Sequence, residues 1–573
     1  KLDAVLRLNS RTAGTVATGG NVESRKRLSL QTGLVWVAVI LAGFFVVTSA
    51  VGCARAPESD VAGEGATIYT QYCEACHGAT GDGAGPAAYL LFPKPRNFQR
   101  GEFKLRSTRQ GRPPTDADLV RTVSQGISGS SMFAFDELLN EAQIQAAVQY
   151  VRTFTPERHR AAPATDDDIL DISTPPPPTP ELVAAGAAVY EEFGCAQCHG
   201  QTGRGDGPSA PTLRDSEGDP FPAADFTHGI YKGGGRPEQL YRTFLTGMAG
   251  TPMPSYADAI QSEEQAWALV YYTLSLISDG QAKPIAGDPG PLSAADLANV
   301  SLEDPESADW NLVPEHRVYM RPLWFRREYS LFTDVRAAVV GQQLYLRLEW
   351  TDGTHDATAL QTEHFSDAVA VQLALADPPP FIGMGQRDDH GAVEIWYWRA
   401  DRQAAAAGEV ADLAASYRDV VVDMYPSSTN PTADAYLQRQ QAPFVTGRDV
   451  GNPVSAPELN VEPVHSLAAA GYGTLTAGTD LSGRVSGRGA RTEHGYAVVF
   501  SASLQPTDAA LQADLTRSGV SIAVAIWDGA AGDRDGTKLV SQWLSLEHSG
   551  TELLADEEAQ RNSDSRRNRR QDQ

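Results

Sequence analysis

The pentapeptide C-x-x-C-H occurs twice, as Cys73 to His77 and as Cys195 to His199, and no other feature constrains this chain as tightly. There are only five cysteines in 573 residues, and the two motifs use four, leaving Cys53. With that composition and 11 histidines, chance would supply on the order of 0.001 such motifs. A zinc site would want further Cys or His ligands at matching spacing, and a redox dithiol has no need of the adjoining His. The motif therefore reads as a covalently held haem: Cys73, Cys76, Cys195 and Cys198 attach two haems, and His77 and His199 ligate their irons.

The motifs sit inside a repeat. Cys73 and Cys195 are 122 residues apart, and so are two amphipathic patterns, EAQIQAAVQYVRTF from Glu141 and EEQAWALVYYTLSL from Glu263. Each unit opens with a short predicted helix carrying Tyr69 or Tyr190, passes through a Gly-rich loop and closes on the amphipathic helix. Between them, TPPPPTP at residues 174–180 predicts a stiff, extended spacer that holds two small domains apart. The chain has only six methionines. Met132 lies 55 residues after His77 and Met253 lies 54 after His199, so a thioether falls at nearly the same place in both units. This predicts Met132 and Met253 as second axial ligands, with Met248 as the rival in the second unit. Two filled axial positions leave no site for substrate and point to electron transfer. Residues 57–279 resemble two class I cytochrome c domains, from the motif through the Met-bearing loop to the last helix.

The formal charge of −25 argues against nucleic acid as a partner. The basic run RRNRR at 566–570 reads as part of a solvated tail. Residues 33–52, GLVWVAVILAGFFVVTSAVG, carry no charge and are long enough to cross a bilayer. Arg25, Lys26 and Arg27 precede them, which predicts that the remainder lies outside the cytoplasm, as c-type haem attachment requires. SAVGC ends this stretch and partly resembles a lipoprotein processing site, with Ala50 where Leu is preferred; a lipid on Cys53, a retained helix and simple cleavage all stay open.

After residue 292 the hydrophobic period falls from about 3.6 to 2. QLYLRLEW at 343–350 alternates strictly, and DAVAVQLALA, AVEIWYWRA, GYAVVFSASL and GVSIAVAIWDG are further strands. They predict a mostly antiparallel β-sandwich of some 250 residues. It shows no catalytic set, so by its residues alone it reads as a binding or docking module. FSDAVAVQLA (365–374), PPFIGMGQRDDHGAVEIWYWRAD (379–401) and IAVAIWDGAAGDRDGTKLVSQWLSLE (522–547) are similar, in order and over 305–548, to the haem-b-binding subunit of ethylbenzene dehydrogenase. That family includes gamma subunits of molybdenum enzymes related to dimethylsulfoxide reductase. The resemblance implies a non-covalent haem b held by Met384 and Lys538, with His364 and His390 as alternatives and Met424 as packing. A lysine can ligate iron only as the neutral amine, so its pKa has to be lowered by desolvation. The gamma subunits of this family usually carry haem b alone, so the two preceding c-type units are a departure.

The expected architecture is multidomain: a polar and basic segment (1–32), a transmembrane or lipoprotein signal helix (33–52), an all-α cytochrome c domain (57–158), a Pro-rich linker (159–180), a second such domain (181–279), a linker (280–300), an all-β sandwich (301–550) and a tail (551–573). The expected function is a non-catalytic, extracytoplasmic subunit with two haems c and one haem b. It would be anchored to the membrane and relay electrons between the iron–sulfur and molybdenum subunits of an oxidoreductase, acting on nitrate, nitrite or a related substrate, and soluble or membrane carriers. Two alternatives are a dihaem oxidoreductase with its own substrate, and a dihaem cytochrome whose sandwich is a carbohydrate-binding-like module without haem b. An exposed aromatic row would favour the last; Trp396 and Trp398 share a face.

Overall fold

In each N-terminal unit a glycine decides how closely two helices cross. A Cβ on Gly65 would sit 2.3 Å from the carbonyl oxygen of Ala146, and one on Gly186 would sit 2.0 Å from that of Ala268. Only glycine lets the first and last helices of each unit touch backbone to backbone. These crossings frame the two units in the computed structural model, which describes residues 61–549 apart from 137, 161, 279–289, 359–361, 386–390, 408, 410–461, 472 and 477–482. The predicted membrane or signal helix at 33–52, Cys53, His390 and Met424 lie outside the described residues. Among the described residues no helix is long and apolar enough to cross a membrane.

The first unit runs α1 (Val61–Tyr72), α2 (Glu74–His77), α3 (Asp116–Gln125) and α4 (Glu141–Thr153). The second repeats it as α5 (Pro180–Glu192), α6 (Ala196–His199), α7 (Pro237–Thr246) and α8 (Glu263–Ser275). Side-chain caps start these helices: Thr115 and Asn140 close capping boxes with Asp118 and Gln143, and Ser262 caps α8. Asp118 is fully buried and accepts hydrogen bonds from the Ser107 N–H and hydroxyl, the Thr115 N–H and Arg121. Burial alone would raise its pKa; these donors outweigh burial and hold it below the ordinary carboxylate range.

The Pro-rich stretch does not act as a spacer. Its residues lie on α8, where the Tyr271 hydroxyl donates to the Pro176 carbonyl and the Trp267 indole to the Ser173 hydroxyl. The two units then meet directly. The Arg106 guanidinium donates to the Thr246 carbonyl, Arg96 to the Gly250 carbonyl at 3.3 Å, and Arg100 pairs with Glu217 at 2.9 Å. A polyproline path is extended, but extension does not prevent it from folding back along a helix.

The C-terminal part is the expected sandwich. One sheet has the order β1 (Leu292–Ser293), β14 (Leu544–Glu547), β12 (Val520–Trp527), β7 (Ala368–Ala374), β8 (Val393–Arg399) and β9 (Val464–Ala469), with β4 (Arg321–Pro322) and β13 (Leu539–Val540) at its side. The other has the order β10 (Val485–Arg491), β11 (Gly495–Ser503), β6 (Gln343–Thr351), β5 (Phe332–Val340) and β2 (Ala295–Leu297), with β3 (His316–Tyr319) beside β5. Pairing is antiparallel except at β1–β14 and β2–β5. Leu344, Leu346, Leu348 and Trp350 of β6 point into the core, against Val369, Val371, Trp396 and Trp398. Trp396 and Trp398 are thus interior packing, and the aromatic row that would mark a binding module is not built from them.

The outer face of the first sheet is also apolar. Ala368, Ala370, Ala374, Ile395, Leu467, Ala523 and Trp527 form a second buried cluster there. A sandwich face turned to water is ordinarily polar. On this one, a floor of small side chains is covered by Trp543, Ile382, Met384 and, from the first helical unit, Leu138.

Candidate haem sites

Each motif helix is followed by a loop that folds over it, and the loop is anchored by the tyrosine one turn earlier. The Tyr69 hydroxyl donates to the Gly78 carbonyl at 2.7 Å, and that of Tyr190 to the Gly200 carbonyl at 2.8 Å. The histidines are oriented alike. Nδ1 of His77 lies 3.0 Å from the Arg96 carbonyl, and Nδ1 of His199 lies 3.0 Å from the Ala224 carbonyl. With Nδ1–H donating to a carbonyl, Nε2 carries the lone pair and can ligate a metal. The rings stack on Phe98 and Phe226 with centroids 4.4 and 4.3 Å apart. Burial lowers the pKa of both histidines, that of His77 to about 4, so both imidazoles are neutral at pH 7.

A methionine shares each cavity with the histidine. Cys73, Cys76, His77 and Met132 line one cavity of about 1230 Å³ including its mouth, and Cys195, Cys198, His199 and Met253 line another of about 890 Å³. Matching hydrogen bonds fix the two methionine loops: Ile127 N–H to the Met132 carbonyl and Met248 N–H to that of Met253, both 3.0 Å. Met248 also lines the second cavity, but its counterpart in the first is Ile127, which has no ligating atom. The repeat thus pairs Met253, and not Met248, with Met132. Both cavities are walled mainly by apolar and aromatic side chains, as a flat hydrophobic macrocycle needs. Two thiols, a neutral imidazole and a thioether lining one apolar cavity fit a haem.

The thiols do not fit the rival chemistries. Burial pushes Cys73 and Cys76 up to about 12 and Cys195 to about 11, the opposite of a reactive dithiol. Among the described residues the one group placed to hold a metal ion through His, Cys, Asp or Glu is Asp352, Asp367 and Asp528, so no Cys/His zinc site is formed.

Met384 and Lys538 each border the apolar outer face of the first sheet. Met384 packs against the cluster containing Trp527, and Lys538 Nζ lies 4.7 Å from the Trp527 ring centroid. Burial lowers Lys538 to about 8, with Asp535 opposing, so the neutral amine is within reach. Met384 has a φ of 68°, a conformation that costs a non-glycine residue roughly 1–2 kcal/mol. It is held there by its N–H to the Ile382 carbonyl and by Gly471 N–H to its own carbonyl. His364 is exposed, which does not suit a ligand in this apolar site.

Sequence reasoning missed three residues at the cavities. Lys104 and Lys232 each follow the stacked phenylalanine by six residues, a shared offset that the repeat could have revealed. Phe381 of the β-domain, buried and lining the first cavity, has no such local signal.

Two Cys-x-x-Cys-His cavities that each also carry a methionine, joined to a β-sandwich with an apolar outer face, define a multidomain cytochrome. Residues 60–151 and 181–272 match the family model described as cytochrome c oxidase, cbb3-type, subunit III, and residues 331–539 match the model described as ethylbenzene dehydrogenase. The C-terminal domain is thus of the ethylbenzene dehydrogenase type, and two cytochrome c domains precede it. It is 28% identical over 257 residues to dimethylsulfide dehydrogenase subunit gamma of Rhodovulum sulfidophilum, covering 42% of this chain and 73% of that one. It is also 28% identical over 255 residues to a Haloferax mediterranei protein named as a respiratory nitrate reductase heme subunit, covering 43% and 68%. Among solved structures, the reducing HAO-like protein complex of Kuenenia stuttgartiensis matches 38% of this chain and 96% of its own at 41% identity, with a TM-score of 0.36.

Proposed function

We propose that this chain is a tri-haem electron-transfer subunit in which a haem b in the β-domain and two haems c form one relay. Cys73 and Cys76, and Cys195 and Cys198, would hold haem covalently; His77 with Met132, and His199 with Met253, would ligate the irons. Met384 and Lys538 would hold haem b. Each haem would supply one-electron redox chemistry, and methionine ligation would keep the c-type potentials high.

The observation that carries this reading is where the first c-type cavity meets the β-domain. The Ser131 hydroxyl, next to Met132, donates to the Leu323 carbonyl at 3.3 Å, and the Leu323 N–H donates to the Lys538 carbonyl at 3.0 Å. From the other side, Phe381, three residues before Met384, is a wall of the first cavity. The Met384 segment thus touches the first c-type cavity, and the Lys538 segment is linked to its Met132 loop through Leu323, which supports the order haem b, first haem c, second haem c. The relatives are named as subunits of a dehydrogenase and a reductase. On that basis the β-domain would dock on an iron–sulfur subunit of a molybdenum oxidoreductase outside the cytoplasm, and the second cytochrome domain would face soluble or membrane carriers. The domain limits are those expected from the sequence, with Cys53 or the helix at 33–52 as the anchor.

The test is a haem count on the purified full chain: acid–acetone extraction, then pyridine haemochrome spectra of both fractions. Two haems c remaining with the protein and one haem b released is the expected result. No haem in the extract from haem-replete cells would remove the roles of Met384 and Lys538.

A further inference from the structure

Lys104 and Lys232 hold equivalent positions in the two cytochrome units, yet the seam between the units gives them a joint environment. Lys104 lines the first cavity and Lys232 the second, as the repeat requires. Lys232 also lines the first cavity, although it belongs to the second unit. In return, Lys104 Nζ stands 5.4 Å from the ring centroid of Phe221, a wall of the second cavity. The cavities thus meet at these two side chains. Among the described residues neither ammonium has a carboxylate within ion-pairing distance. Ammonium groups on apolar walls need an anion, or they lose their protons. Burial, with Arg96 and Lys232 nearby and the more distant Asp215 opposing, lowers Lys104 to about 7, and burial lowers Lys232 to about 8. The anion that a haem itself brings is its pair of propionate carboxylates.

We propose that Lys104 and Lys232 form a propionate-binding pair at the seam, each binding the haem of its own unit, with Lys232 binding a propionate of the first haem as well. This deepens the relay reading and rests on the two cavities being haem sites. Lys232 then acts on two irons at once. A positive charge beside a haem opposes its oxidation, so removing that charge lowers the midpoint potential. Lys104→Met lowers the first haem alone. Lys232→Met lowers both, even though the residue lies in the second unit.

The experiment is spectroelectrochemical titration of the full chain, wild type against K232M, K104M and K232R, each first checked for two covalent haems by pyridine haemochrome. In K232M the reduction equilibrium of both c-type haems is expected to shift up to tenfold toward the oxidised form, which is 59 mV for one electron. K232R keeps the charge and leaves both potentials near wild type. A K232M protein with two haems in which only the second potential moves, or neither does, overturns the shared role. Should K232M lose a haem, K232R decides: a lowered potential of either haem in a charge-retaining, haem-replete variant also overturns it. A wild-type chain without covalent haem is a different failure, that of the haem reading itself, and shows in the haemochrome before any titration.

Discussion

Every wall of the second cytochrome cavity, from Gly194 to Thr273, comes from the second unit itself, whereas the first cavity takes Lys232 from its neighbour and Phe381 from the β-domain. The two units share helices, caps, histidine geometry and methionine loops, so the difference lies outside the repeat. One walls its cavity by itself. The other is completed by neighbours on two sides. What a repeat unit does is decided by what packs on it, not only by what it contains.

The strongest way to break this comparison is to separate the units. Residues 159–279 expressed alone are expected to mature with one haem c and a spectrum close to that in the whole chain. Residues 57–158 alone should give an unstable or spectrally altered cytochrome, read by Soret spectra and thermal melts. Met384→Leu should release the extractable haem while both covalent haems stay. Its volume is conserved, so stability should change by less than about 1.5 kcal/mol, and the loss is read as an empty acid–acetone extract.

Next in size are two changes confined to the first unit. Phe381→Ala should cost about 3 kcal/mol and move the first haem's potential but not the second's. Asp118 occupies the place that Gln239 holds in the second unit, the third residue of a capping box. Its native pKa lies below the unfolded value of about 3.9. The stability it contributes is therefore present above that value and lost as pH falls through the depressed native pKa. Asp118→Asn should flatten the acid side of the stability curve, seen in denaturant melts between about pH 2 and 6; the same melts on Gln239→Glu sharpen the contrast. The smallest effect is expected for Met248→Leu, with the ferric spectrum unchanged, whereas Met253→Leu should alter the spectrum and lower the potential of one haem.

The sequence by itself determined what depends on neighbouring residues. Covalent attachment needs two thiols and an imidazole within five residues, so both motifs were legible, and the near-equal spacing to Met132 and Met253 carried the repeat through to the methionine that lines each cavity. Period-2 alternation likewise marked β6, β7, β8, β11 and β12, because one face of each meets the core. The resemblance to a known family brought Met384 and Lys538 to notice, which their local sequence would not have done.

Only the tertiary structure decided what those elements meet. The proline stretch read as a spacer, and became a strap on α8 because Tyr271 and Trp267 present donors to it. The alanines of β7 read as ordinary strand residues until their outward face proved to be covered. Lys232 reaches a cavity built more than 80 residues earlier in the chain, and Phe381 one built more than 200 residues earlier. Contacts of that range leave no periodicity to read, since they depend on the packing of whole units against each other and not on the spacing of residues within one.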